Sequence, residues 1–165
     1  MPAAGPLYTV ILTHPDEGVY TPQMVVNGAY VLLASDSEMA AKTVDKALET
    51  APTCGIHILG AKNQADDSLK VSYSGANIPA NSIINFALVQ HVAQSKIIRG
   101  ENKGKTLIHH NVVRILKTIP YRNPNGNTSL GGFVMKDKSN FSVIAYVQDA
   151  DKQNVLSADE WNMGR

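Results

Sequence analysis

Cys54 is the chain's only cysteine, and it sets the first limit on chemistry. A dithiol reaction needs a low-pKa attacking thiolate and a resolving thiol beside it. One cysteine supplies no such pair and no intrachain disulfide. Placed after a helical stretch and before a β-leaning run, Cys54 is expected as a small apolar core residue. The histidines are no better assembled. His109 and His110 are adjacent, so a strand would point them to opposite faces, where they cannot share one metal ion. His57 and His91 lie in separate β-leaning runs, and no paired ligand spacing marks zinc. Gly100 to Thr106, GENKGKT, resembles a phosphate loop but is one residue short of its spacing. The stretch that follows is β-leaning, with no capped helix to receive phosphate. The expectation is a glycine-rich turn. Asp149, Asp151, Gln153, Ser157 and Glu160 partly match a calcium loop, yet Asn154 stands where that loop needs glycine. A solvated acidic turn is expected there. No metal and no cofactor is expected from these patterns, and no catalytic residue is assigned.

The elements that must position these groups are clearest between Gly18 and Ala51, GVYTPQMVVNGAYVLLASDSEMAAKTVDKALETA. Thr21 precedes a proline and is pushed into extended geometry. Met24 to Val26 is β-leaning, Asn27-Gly28 offers the two positive-φ positions of a tight hairpin, and Tyr30 to Leu33 returns. Ser35 and Glu38 have capping-box spacing, so a helix is expected to start at Ser35. Ala40, Val44, Ala47, Leu48 and Ala51 recur at helical spacing and Pro52 stops the run. Upstream, Leu7 to Leu12 reads as a strand pairing with Met24–Val26, giving three strands under one helix. Beyond Pro52 the period changes. Ile56–Leu59, Leu69–Tyr73, Ile83–Gln94, Val112–Ile119, Gly132–Met135, Phe141–Val147 and Val155-Leu156 read as strands, with Asn-Pro-Asn-Gly-Asn at 123 to 127 as a loop. Ile83 to Gln94 is apolar on both faces, which argues a central strand.

The first stretch, a strand entered through Thr-Pro followed by a hairpin and a helix, looks like the closing half of a thioredoxin fold. Its wording is similar to one family, secreted bacterial thioredoxin-like proteins of domain-of-unknown-function family 1223. Residues carrying that resemblance are GVYTPQMVVNG, then Arg99-Gly100-Glu101-Asn102 with Gly104, Thr106 and Leu107, then His109, Asn111, Val112, Val113 and Arg114. The resemblance spans residues 18 to 158. It implies an α+β chain, with a partial thioredoxin-like sheet-and-helix unit at 1–52 followed by an antiparallel β-sandwich-like domain at 53–165. It implies a cis-proline turn at Tyr20, Thr21 and Pro22, available for peptide binding. It groups Arg99, Gly100, Glu101, Asn102, His109, Asn111 and Arg114 as a polar cluster. The family's Cys-x-x-Cys is missing from this sequence. The expected role is therefore non-catalytic, structural or partner-binding, with a protein partner or a homodimer on the face left bare by the missing half. The alternative is the back part of a thiol-disulfide oxidoreductase whose Cys-x-x-Cys lies upstream. A periplasmic or secreted setting is implied by the family, although the first residues do not read as a signal peptide.

Composition sets the remaining bounds. Fifteen Lys and Arg against fourteen Asp and Glu leave no overall basic bias, so neither nucleic acid nor an anionic membrane is indicated. No run reaches the length of a membrane-spanning helix. The content is 44% hydrophobic and 18% charged, as expected of a folded core rather than disorder.

Overall fold

The computed structural model describes residues 21–64 and 68–164. In chain order these form strands β1 (Gln23–Val26) and β2 (Tyr30–Leu33), helix α1 (Ser37–Leu48), and strands β3 (Gly55–Asn63) and β4 (Leu69–Ala76). There follow β5 (Ser82–Lys96), β6 (Thr106–Pro120), β7 (Asn125–Leu130), a 3-10 turn at Lys138–Asn140, β8 (Phe141–Asp149) and β9 (Val155–Asn162). Every pairing is antiparallel. The strands make three sheets, ordered β1-β2, β3-β4-β7 and β6-β5-β8-β9.

This overturns the expected α+β class with a partial thioredoxin-like unit. Strands dominate, and α1 is the one α-helix among the described residues. The helix rests on a two-stranded hairpin of four residues per strand and buries only Ala47. Among the described residues the sheet under the helix has only these two strands, too small for the layered α/β core that a thioredoxin-like unit requires. The strand expected at Leu7–Leu12 lies outside the described residues. Helix α1 also starts one cap later than expected. Asp36, not Ser35, is the N-cap, and its carboxylate accepts from the Met39 amide at 2.9 Å. Glu38 is thereby released to pair with Lys42 at 2.6 Å, one turn on.

The core lies between the two larger sheets. Ile56, Ile58, Leu69, Val71 and Tyr73 come from one sheet, and Ile84, Phe86, Leu88, Val143, Ala145 and Val147 from the other. Tyr73 and Phe86 meet across the gap with ring centroids 5.2 Å apart. At one rim the sheets are tied where the β3 amide of Ile58 donates to the Asp159 carboxylate of β9 at 2.7 Å. At the other rim Lys117 of β6 donates to the Ser129 carbonyl of β7 at 2.7 Å. Strand β7 was unexpected, because Asn125-Gly126-Asn127 reads as a turn. Gly126 pairs with Tyr73, and a Cβ there would lie 2.5 Å from the Tyr73 hydroxyl oxygen. A glycine in this strand leaves room for that ring. Residues 132–135, expected as a strand, are irregular, with Phe133 and Met135 packed against the core edge.

Candidate functional site

Tyr20 lies outside the described residues. Thr21 and Pro22 are exposed, and the bond between them is cis. The Pro22 carbonyl accepts from the Ala34 amide at 2.9 Å, so that group is spent closing the hairpin. The hairpin is seated elsewhere. Gly28, at φ +66°, presses its Cα against the β8–β9 turn, and a Cβ there would lie within 2.0 Å of the Gln153 carbonyl oxygen. The Asn27 carbonyl accepts from the Val155 amide at 2.8 Å. Beside this junction lies an open groove of about 300 Å³, bordered by Asn27, Thr50, Pro52, Asn154 and Leu156. Its lining contains no ionisable side chain, so no acid or base stands there to activate the hydroxyls of Thr50, Thr53 and Ser157.

The seven residues grouped by the resemblance are distributed along one long hairpin. Arg99, Gly100, Glu101 and Asn102 sit in the loop joining β5 to β6. There the Gly104 amide donates to Ile97 and the Lys105 amide to Asn102, while the Lys105 ammonium donates to the Asn102 side-chain oxygen at 3.1 Å. The phosphate-like spacing is thus a closed turn whose lysine is held by its own loop. His109 and Asn111 are exposed on β6, with Asn111 at φ +53°. Arg114 is an extra residue in the ladder, since Leu88 pairs with Ile115 while Val89 pairs with Val113. Its guanidinium donates twice to Gln90 and stacks 5.9 Å from the Phe133 ring centre. His109 and Arg114 are five strand positions apart, roughly 17 Å. No hydrogen bond joins the loop residues to His109, Asn111 or Arg114 among the described residues.

The other chemical candidates are also accounted for. Cys54 is buried in the core, and burial pushes its thiol above the ordinary value. His91 lies 3.0 Å from the Ser142 hydroxyl. Asp149 accepts from the Lys152 and Asp151 amides at 2.8 and 2.9 Å, and Asp151 accepts from Asn81 at 2.7 Å. These carboxylates shape a turn. No described cluster of His, Cys, Asp or Glu could hold a metal ion.

What sequence reasoning missed is the reach of the β5–β6 hairpin. Strand β8 ends its pairing with β5 at Phe141 opposite Gln90, yet β5 continues to Lys96, roughly 20 Å further. Beyond Gln90 the two strands form an arm. Its apolar side chains are exposed on both faces: Val92 and Ile108 on one, Leu107 on the other, Ile98 near the tip. Ile98 and Ile108 are 72% and 60% exposed. Strand β6 is the sheet edge throughout. The arm is also basic. Between Gln90 and Val112 it carries Lys96, Arg99, Lys103 and Lys105 against Glu101 alone, and from Asn102 to Lys136 the sequence has Lys103, Lys105, Arg114, Lys117, Arg122 and Lys136 with no Asp or Glu. The balanced overall charge conceals this segregation, which was the available signal.

Comparison with known proteins follows the same outline. The family described as a protein of unknown function (DUF1223) matches residues 11–148. The fold is similar to the crystal structure of protein AGR_C_4864 from Agrobacterium tumefaciens, with a TM-score of 0.62 and 14% identity, over 96% of this chain and 68% of that one. A domain of the outer membrane lipoprotein Omp28 from Porphyromonas gingivalis matches with a TM-score of 0.39 and 14% identity, over 69% of this chain and 92% of that one. No curated protein matches the chain.

Proposed function

This chain belongs to the DUF1223 family, and from that premise we propose that it is a non-catalytic protein that binds a protein partner through the β5–β6 arm. The observation that carries this reading is the arm's exposed apolar surface on both faces. A two-stranded hairpin standing alone is marginal in water, and apolar residues on both faces of an extension gain stability only when something covers them. The chemistry of the described residues points away from catalysis. The one cysteine is buried with its pKa raised, the groove carries no ionisable group, and the acidic turn is internally bonded. An extracytoplasmic setting is part of the proposal, supported by the resemblance in the GVYTPQMVVNG block.

A second apolar surface lies on the hairpin and helix, where Val25, Leu33, Met39 and Leu48 are exposed. It corresponds to the face expected from sequence to receive a partner or a second copy. Charges of both signs surround it at Glu38, Lys42, Asp45 and Lys46, so charge selects no partner there. The arm, with Lys96, Arg99, Lys103 and Lys105 against Glu101 alone, is the more selective surface.

The test is a photo-reactive amino acid placed at position 108 of the full chain in its own cells, with position 41 on exposed helix α1 as control. Discrete heavier adducts from 108 and none from 41 are expected. No adduct from 108 under conditions where the protein is folded and abundant would contradict the reading.

A further inference from the structure

Resting on that binding role, we infer that the outer edge of β6 receives an extended, acidic segment of the partner, added as a further strand beside β6. The direction of the backbone groups carries the argument. In an antiparallel ladder, directly opposed residues alternate between pairs that bond to each other and pairs whose N–H and C=O point outward on both sides. Val92 sits opposite His110. The Val92 amide donates to the Asn140 side-chain oxygen at 2.9 Å, and its carbonyl accepts from the Asn140 side-chain nitrogen at 2.9 Å. Val92 therefore faces away from β6, and His110 faces away from β5. With a period of two, Thr106, Ile108 and His110 turn their backbone groups outward, and the row stops at Asn111, which has φ +53° and no partner in the ladder. None of the three makes a backbone hydrogen bond outside its own strand pair among the described residues. They present a row of donors and acceptors in strand register.

The two edges of this arm are treated differently. On the β5 side, Asn140 imitates a missing strand and closes the edge where β8 ends. On the β6 side, no side chain among the described residues does so. Natural sheets commonly blunt such an edge with proline, a bulge or a covering loop. Here the bulge falls at Arg114 and Asn111 is unpaired in the ladder, leaving Thr106 to His110 in unbroken register with β5. An extended peptide pairing with an open edge gains affinity from the main chain and selectivity from alternate side chains.

Charge decides what kind of strand it is. Lys105 flanks one end of the open segment, Arg114 and Lys117 the other, and His109 and His110 lie between. A second copy of the chain would set this cationic row against itself, and like charges opposed across strands are destabilising. A strand carrying Asp or Glu meets the cations with opposite charge. The apolar side chains of Leu107, Ile108 and Val113 supply the burial between them.

The experiment uses the full chain and a short synthetic peptide alternating valine with glutamate, beside a valine–lysine counterpart and a backbone N-methylated glutamate version. Binding is followed by fluorescence anisotropy and by the amide resonances of residues 106 to 113. The glutamate peptide is expected to bind at least about tenfold more tightly than the lysine peptide, to weaken with salt, and to lose binding on N-methylation. Ile108→Pro removes one outward donor without touching the β5 ladder and should abolish binding with the thermal melt retained. Lys105→Glu, in an exposed loop, should weaken the glutamate peptide and strengthen the lysine one. Equal binding of the two peptides, or indifference to N-methylation, overturns the inference. So does self-association of the chain that protects the β6 amides, or a shift of those amides by anionic lipid vesicles but not by peptide. If these peptides fail while adducts from position 108 persist in cells, the added strand is wrong and the partner-binding role stands.

Discussion

Gly28 shows how one residue position can be dictated by its neighbour. Its positive φ and its approach to the Gln153 carbonyl both exclude a side chain. Gly28→Ala is expected to cost about 1–3 kcal/mol in urea unfolding, because the hairpin turn must both strain and back away from the β8–β9 turn. Gly60→Ala, where a Cβ would meet nothing within 4 Å, should stay within about 0.5 kcal/mol. Equal effects from the two would remove the close approach from the account. Asp149 works through its acceptor oxygen. The Lys152 and Asp151 amides donate to it and hold its carboxyl below the ordinary 3.8. A lowered folded value contributes stability that is fully present above the unfolded value and is lost as pH falls through the folded one. Urea midpoints should therefore drop below about pH 4, and Asp149→Asn should flatten that acid limb. An unchanged acid limb in the variant would assign the loss to other carboxylates.

At the scale of elements, the core strands were legible and the edges were not. Ile83 to Gln94, apolar on both faces, is the central strand β5, flanked by β6 and β8. Its alternate residues Ile84, Phe86 and Leu88 face the core, while Ala87 and Val89 are buried on the other side. Such doubled apolarity is a local signal and survives without tertiary knowledge. Strand β7 was hidden because Asn125-Gly126-Asn127 has turn composition, and only the Tyr73 ring opposite makes glycine suitable there. The outer half of β6 was legible only as a β-leaning stretch: Thr106 to Asn111 has no regular alternation and no core to face, so the strand's reach was not readable. Among the resemblance-derived residues, the loop at 99–102 and the strand residues His109, Asn111 and Arg114 were visible as a motif, but their separation along an extended strand was not. A motif in sequence carries order, not distance. Asn140 is the element-scale test of how the arm is held. Asn140→Ala removes both hydrogen bonds to Val92 and is expected to cost about 1–3 kcal/mol, with faster amide exchange at Val92. Exchange at Val92 as slow as in the parent would show that Asn140 does not close that edge.

Across the whole molecule, charge and apolar surface are segregated. Residues 69 to 136 contain nine Lys and Arg and a single acidic residue, Glu101, while the acidic residues gather on helix α1 and around β8 and β9. A near-neutral chain can thus present a basic edge, and interactions along that edge should be screened by salt. The two facing sheets provide a rigid base, and the arm extends from it where β8 stops. The central claim is that the outer edge of this arm is open and ready for a strand. Amide hydrogen exchange, read residue by residue in the dilute free chain, tests it most directly. Fast exchange is expected at Thr106, Ile108 and His110, alternating with slower exchange at Leu107 and His109, whose amides face β5. Uniform protection from Thr106 to His110 in a monomer would mean that the edge is already closed within the chain, and would contradict the account.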